Sequence, residues 1–216
     1  MAIEKKKKSK QSVKRNAQPS KKTEETPAPQ KNFDDGVNAL DLPSRYLRDH
    51  ERMLFLSEEV DDKVVNRLII EMKYLEALDP EKDIHLYIDS PGGAVTDGLN
   101  LCHFMKNLKC DVATHAMGIA ASMAAVILSC GAKGKRFVQP NSTVMLHHLK
   151  TINSDWQCIL DAEIRVGYAK RLDDILVKLL SENTGVAERV LRNDIERDNY
   201  LIGEEAVKYG VADSVE

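Results

Sequence analysis

Apolar residues recur along this chain with two different periods, and each change of period marks an element. Val65, Leu68, Ile69, Met72 and Leu75 fall at steps of three and four, the repeat of one helix face. Asp61 or Asp62 stands where a capping side chain is needed, and Pro80 stops the helix. Ile84, Leu86 and Ile88 alternate, which predicts a strand running into the turn Ser90-Pro91-Gly92-Gly93. A short strand over residues 52–56 precedes this pair, and order begins near Leu40. Further on, the pattern predicts a helix over 94–108, a strand over 111–115 and a buried helix of small residues over 120–129. Gly131 and Gly134 break the chain before strands over 135–138 and 143–147. A long amphipathic helix then runs from Trp156 to about Glu182, with Ile159, Ile164, Tyr168, Leu172, Ile175 and Leu179 or Leu180 as its stripe. Strand alternating with helix predicts an α/β domain with a largely parallel sheet, and no internal repeat is present.

Composition adds a boundary. Within 216 residues that are 43% hydrophobic there is material for one substantial core. Residues 1–32, however, hold ten Lys or Arg against three Glu and almost no large apolar residue. Such a segment cannot bury enough surface to offset its ordering entropy, so residues 1–37 are expected to form a basic, disordered tail or leader ahead of a domain over 38–216. Lys5 to Lys8 offer charge to an acidic surface, but nucleic acid is not an expected partner. The chain nets −3, so outside that segment it is acidic. The longest apolar run, over 119–128, is about half of what a membrane span requires. No apolar segment follows the amino-terminal Lys run, which argues against a secretory signal. Cys102, Cys110, Cys130 and Cys158 show neither a disulfide framework nor a metal-ligand spacing, as expected of reduced thiols in a cytoplasmic protein.

Three kinds of residue stand where hydrolytic chemistry could use them. Ser122, in Gly118-Ile119-Ala120-Ala121-Ser122-Met123, opens a helix among small residues. A serine there is ordinarily a cap, yet the site also leaves room for a substrate backbone and aims free N–H groups at any oxyanion formed on it. Gly92-Gly93 is an ordinary β-turn or a source of a second oxyanion donor. His147 and His148 end an apolar strand; neighbours on a strand face opposite sides, so at most one reaches Ser122. Asp194, Glu196 and Asp198 crowd one segment, either as a solvated turn or as the source of an acid partner.

The motifs Ile88-Asp89-Ser90-Pro91-Gly92-Gly93, Met117-Gly118-Ile119-Ala120-Ala121-Ser122-Met123, Gly131-Ala132-Lys133-Gly134-Lys135-Arg136 and Pro140-Asn141-Ser142-Thr143-Val144-Met145-Leu146-His147 closely resemble the proteolytic subunit of the Clp protease family. They occur in that family's order and spacing, and the similarity runs from about Ser44 to the end. The resemblance implies a crotonase-like ββα spiral fold with a protruding helical handle. It also implies a serine endopeptidase with Ser122 as nucleophile, His147 as general base, Asp194 as orienting acid, and the amides of Gly93 and Met123 as oxyanion donors. Seven-membered rings, single or stacked in pairs, would enclose polypeptide substrates delivered by a hexameric ATP-dependent unfoldase. No metal or other cofactor is implied, and ATP belongs to the unfoldase. A non-catalytic ring subunit and a self-standing phage-type maturation protease are the alternatives.

The chain also departs from that family. After His147 it reads His148-Leu149-Lys150-Thr151-Ile152-Asn153-Ser154-Asp155-Trp156, where members usually have a Gly-rich substrate-binding strand. Asn193 stands where an inter-ring Arg is common. His85 and Asn107 replace aromatic residues of the unfoldase pocket, leaving Tyr87. Docking and ring contacts are therefore expected to differ more than the catalytic centre.

Overall fold

The computed structural model describes residues 41–150 and 159–216. The expected tail, Cys158 and the amino-terminal end expected for the long helix lie outside the described residues. The first described element is a helix, α1 (Asp41–Glu51), too poor in apolar residues to announce itself by period. Arg52 turns the chain out of it with φ 55° into β1 (Met53–Leu56). The buried Arg52 guanidinium donates to the carbonyls of Leu75, Asp79, Lys82 and Asp83. Those oxygens lie at and beyond the end of α2 (Asp62–Leu78), so Arg52 ties the last turn of the helix, where Leu75 O also accepts from Asp79 N, to the loop that follows it. At the other end Asp61 Oδ1 accepts from Val64 N at 2.8 Å, which settles the cap.

The remaining elements are β2 (Ile84–Ser90), α3 (Val95–Lys106), β3 (Val112–Ala121), α4 (Met123–Ser129), β4 (Arg136–Val138), β5 (Thr143–Leu146), α5 (Ile159–Thr184), α6 (Glu188–Asp194), β6 (Asn199–Ile202), α7 (Glu204–Tyr209) and β7 (Ser214–Val215). Strands β1-β2-β3-β4-β7 lie side by side and parallel. β3 is long enough to serve two partners in succession. Thr114 to Ala116 pair with β4, and Ile119 to Ala121 pair with β5, whose other edge carries antiparallel β6. The mixed α/β architecture and mostly parallel sheet are as the sequence predicts.

β3 runs six residues past the predicted strand, and the helix expected from residue 120 begins only at Met123. The physical reason is long-range. The pairing with β5 claims Ile119 to Ala121 as strand, although local composition favours helix. The switch falls at Gly118, φ +73°, where an added Cβ would sit 2.6 Å from Asp89 Oδ1. That carboxylate accepts from Ile119 N at 3.0 Å, opposite the register shift between Ile88 and Ser90.

Every residue of α4 is buried, and α4 packs on α3, α5 and β3. Leu68, Met72 and Leu75 of α2 and Leu86 and Ile88 of β2 are sealed in the same core. The expectation for α5 needs correction. Of its stripe, Ile159 is 78% exposed, Ile164 67%, Tyr168 48% and Ile175 49%, Leu172 and Leu179 are half-buried, and Leu180 is buried beside Leu176 and Val177, which the stripe did not include. Only the carboxy-terminal third of the helix enters the core, and the apolar residues ahead of it are largely exposed. At the far edge of the sheet, the buried Arg136 forms a two-pronged pair with Asp213, 2.8 and 2.6 Å, tying β4 to the lead-in of β7. Burial alone would raise the Asp213 carboxyl; the hydrogen bonds and charge of Arg136 outweigh it and hold it down to about 2.

Candidate active site

Ser122 occupies the junction between β3 and α4 with φ 55° and ψ −124°. No glycine relieves that strain, and a positive φ on a side-chain-bearing residue persists only where its surroundings enforce it. The enforcement is visible. Ser122 N donates to Met145 O of β5 at 2.8 Å, while its carbonyl accepts from Ala125 and Val126 of α4. The residue is thus held at both ends by regular structure. A sharp strand-to-helix turn of this kind lifts a hydroxyl clear of the sheet at a helix amino terminus. Its side chain makes no capping bond, so the ordinary explanation of a serine at this position does not apply.

The glycine turn packs directly beneath it. A Cβ on Gly92 would lie 2.6 Å from Ala121 O, 2.7 Å from Ser122 Cβ and 2.8 Å from Met123 N. Gly93, φ +150°, is pressed as closely on Val60 and Glu59, and the bonds Val60 N to Gly92 O and Ala94 N to Val60 O lock the turn. Among the described residues no group accepts from the Gly93 or Met123 N–H. Met123 is the first residue of its helix, where an amide has no intrahelical partner. Two free donors therefore flank one strained hydroxyl.

Ser122, Gly92, Gly93, Met123 and His147 line one cavity of 460 Å³. Its remaining wall is largely apolar, with Val95, Val126, Leu146, Leu149, Leu176, Val177, Leu180 and Ile195, while Glu59, Lys150 and Asp173 supply charge. That lining suits an uncharged side chain held beside a reactive backbone.

The two histidines follow the end of β5, and only His147 lines the cavity. His147 faces the cavity, and its Nδ1–H donates to the carbonyl of His148, which fixes the tautomer with Nε2 bare. His148 turns away, its Nδ1 2.9 Å from both oxygens of Asp173 on α5 and its Nε2 3.2 Å from Arg192 O on α6. Of the three acids, Asp194 ends α6 and accepts from the Tyr209 hydroxyl at 3.0 Å. Burial first, and then that carboxylate, raise the Tyr209 phenol. Asp198 is held below the ordinary carboxylate range by Lys150, 2.8 Å away, against a smaller opposing effect of desolvation and with a minor contribution from His147. Glu196 is exposed. Ser122, His147, Gly93 and Met123 are brought together around one cavity, then, while Asp194 is not among its lining residues and is bonded to Tyr209. Nothing local in the sequence marks Tyr209 or Asp173 for this neighbourhood, since each meets its partner only through the packing of separate helices.

Of the positions expected to meet an unfoldase, His85 and Tyr87 belong to a second cluster. His85 Nδ1 and His115 Nε2 are 3.0 Å apart, and His115 Nδ1 meets the Glu216 carboxylate at 2.6 Å. Phe55, Tyr87, His115 and Phe137 stack in a row across four strands. Burial, and then the neighbouring His115, lower His85. Asn107 ends α3, bonded to His103 O.

A mostly parallel α/β sheet with a strained serine between free amides defines a hydrolase-like site. The Clp protease family model matches residues 36–216, and the chain belongs to that family. It is therefore a peptidase by family, and members of the family typically form oligomeric rings. No helix among the described residues is long and apolar enough to cross a membrane.

Proposed function

We propose that the chain is a serine endopeptidase with Ser122 as nucleophile, His147 as general base and Asp194 as the acid that orients it. The observation that carries this reading is the strained Ser122 backbone wedged against the Gly92-Gly93 turn. A resting core residue has no reason to sustain such a conformation, whereas a nucleophile gains exposure from it. His147, with Nε2 bare, takes the proton from Ser122 as its oxygen attacks a peptide carbonyl; the same proton then goes to the leaving amine. The amides of Gly93 and Met123 receive the oxyanion, and one such donor is typically worth about 3–4 kcal/mol of barrier. For Asp194 to steady the imidazolium, His147 Nδ1 must exchange the His148 carbonyl for an Asp194 oxygen, which makes the described arrangement a resting one. None of these steps calls on a metal or nucleotide in this chain.

The family further supports a crotonase-like spiral with α5 as the handle, and the exposed apolar residues of α5 suit a ring–ring contact. Rings of seven, single or paired, would confine the reaction in a cytoplasmic chamber. A hexameric ATP-dependent unfoldase would feed polypeptide to it. A non-catalytic ring subunit is the second reading, favoured by the bond between Asp194 and Tyr209. Ser122→Ala separates the two. It should lower hydrolysis of a fluorogenic peptide by at least ~10⁴-fold with the sizing profile unchanged. Activity above a tenth of wild type would reject Ser122.

A further inference from the structure

We infer that His148 is a positioning residue that sets the placement of both His147 and Asp194, an inference that rests on the serine-peptidase reading. Every polar group of His148 is used, and each points at a different part of the site. Its carbonyl accepts from His147 Nδ1. Its backbone N–H donates to Ile195 O at 3.2 Å, immediately after Asp194. Its Nε2 lies 3.2 Å from Arg192 O, two residues before Asp194. Its Nδ1 faces both oxygens of Asp173, 2.9 Å each.

One residue thus brackets Asp194 on both sides along the chain and holds the imidazole of His147 by its own carbonyl. Asp173 completes the knot. Its Oδ1 also accepts from Leu149 N at 3.1 Å, and its Oδ2 lies 3.4 Å from an Arg192 guanidinium nitrogen. Arg192 in turn reaches Asp174 at 2.6 Å. The end of β5, the middle of α5 and the end of α6 are therefore joined through a single imidazole. These three elements meet nowhere in sequence, since His148 and Asp173 are 25 residues apart and His148 and Arg192 44.

Asp173 lines the cavity as well, so a shift of α5 is felt where substrate would lie. Any movement of α5 also pulls on His148, and through it on the base and the acid together. A chain of hydrogen bonds with two ends in the reaction centre is suited to setting geometry, not to moving protons. His148 itself does not line the cavity that holds Ser122, whereas His147 does.

The test compares His148→Ala, His148→Asn and Asp173→Asn with the wild type in the full chain and its native assembly. Two readouts are taken: the rate of Ser122 labelling by a fluorophosphonate, and the ¹⁵N shifts of the His147 ring in selectively labelled protein, tractable with six histidines in the chain. Displacing a reacting group by 1 Å can cost about 10²-fold. His148→Ala and Asp173→Asn are therefore expected to slow labelling by about 10- to 100-fold and to shift the His147 signals. His148→Asn, which keeps a donor toward Asp173, should recover part of both, which loss of stability alone would not produce. Labelling within threefold of wild type, with the His147 signals unmoved, would overturn the inference. If wild-type Ser122 does not label at all, the serine-peptidase reading falls. The ring shifts then decide the positioning role alone: a shift in His148→Ala upholds it, and none refutes it.

Discussion

Replacing Gly92 by alanine tests the packing of the glycine turn against the nucleophile more sharply than removing the nucleophile does. The backbone there has φ +92°, and the left-handed region costs an L-residue about 1–2 kcal/mol. The new Cβ would stand 2.6 to 2.8 Å from Ala121 O, Ser122 Cβ and Met123 N, where ordinary contact begins at 3.4 Å. None of those atoms ends a flexible side chain. The turn and the serine must therefore separate by roughly 0.6–0.8 Å, the difference between those distances. Overpacking of this kind costs a further ~1–3 kcal/mol. A total near 3 kcal/mol corresponds to a fall in Tm of about 6–12 °C for a domain of this size. The larger consequence is kinetic. The displacement falls on Ser122 and on both proposed oxyanion amides, and a misplacement approaching 1 Å is worth about 10² in rate. Fluorophosphonate labelling and peptide hydrolysis, measured well below the variant's Tm, should each fall at least 30-fold, a conservative share of that figure. A variant that melts early but labels within threefold of wild type would refute the argument that this turn sets the nucleophile. One with neither effect would refute the packing itself.

Tyr209→Phe removes the hydroxyl that holds Asp194. It should cost about 1.5–3 kcal/mol in urea melts, as for a hydrogen bond to a charged group. Labelling should be at least as fast as wild type, because the acid is released toward His147; a tenfold slower rate would show that Tyr209 supports the active geometry. The Arg136–Asp213 pair predicts an acid limb of stability. The Asp213 carboxyl is depressed in the fold to about 2 from an ordinary value near 3.9, so its contribution is complete above the unfolded value and is lost as pH falls through 4 toward 2. That contribution is about 2 kcal/mol, and Asp213→Asn should flatten the dependence over this window; an unchanged slope between pH 4.5 and 2.5 would count against it.

The α/β class was legible in the chain because it rests on local period. Val65, Leu68, Met72 and Leu75 form a helix face wherever the helix packs, and Ile84, Leu86 and Ile88 alternate whichever strands flank them. Local chemistry likewise placed a cap at Asp61 or Asp62, Ser122 at a helix start and Gly92-Gly93 at a turn, and the motif order pointed to the family. Tertiary structure alone decided what the site does with them. The positive φ of Ser122 arises because β5 claims the end of β3, a pairing between residues more than twenty apart that composition opposes. His147 and His148 were assigned opposite faces by strand geometry, but only the arrival of α5 and α6 gives His148 its partners and Asp194 its bond to Tyr209. The stripe on α5 shows the same limit from the other side. A period of three and four predicts a face to be covered, and most of this one is left uncovered by the other described residues. Periodicity records which residues seek burial, whereas the partner that buries them is fixed by contacts that sequence distance conceals.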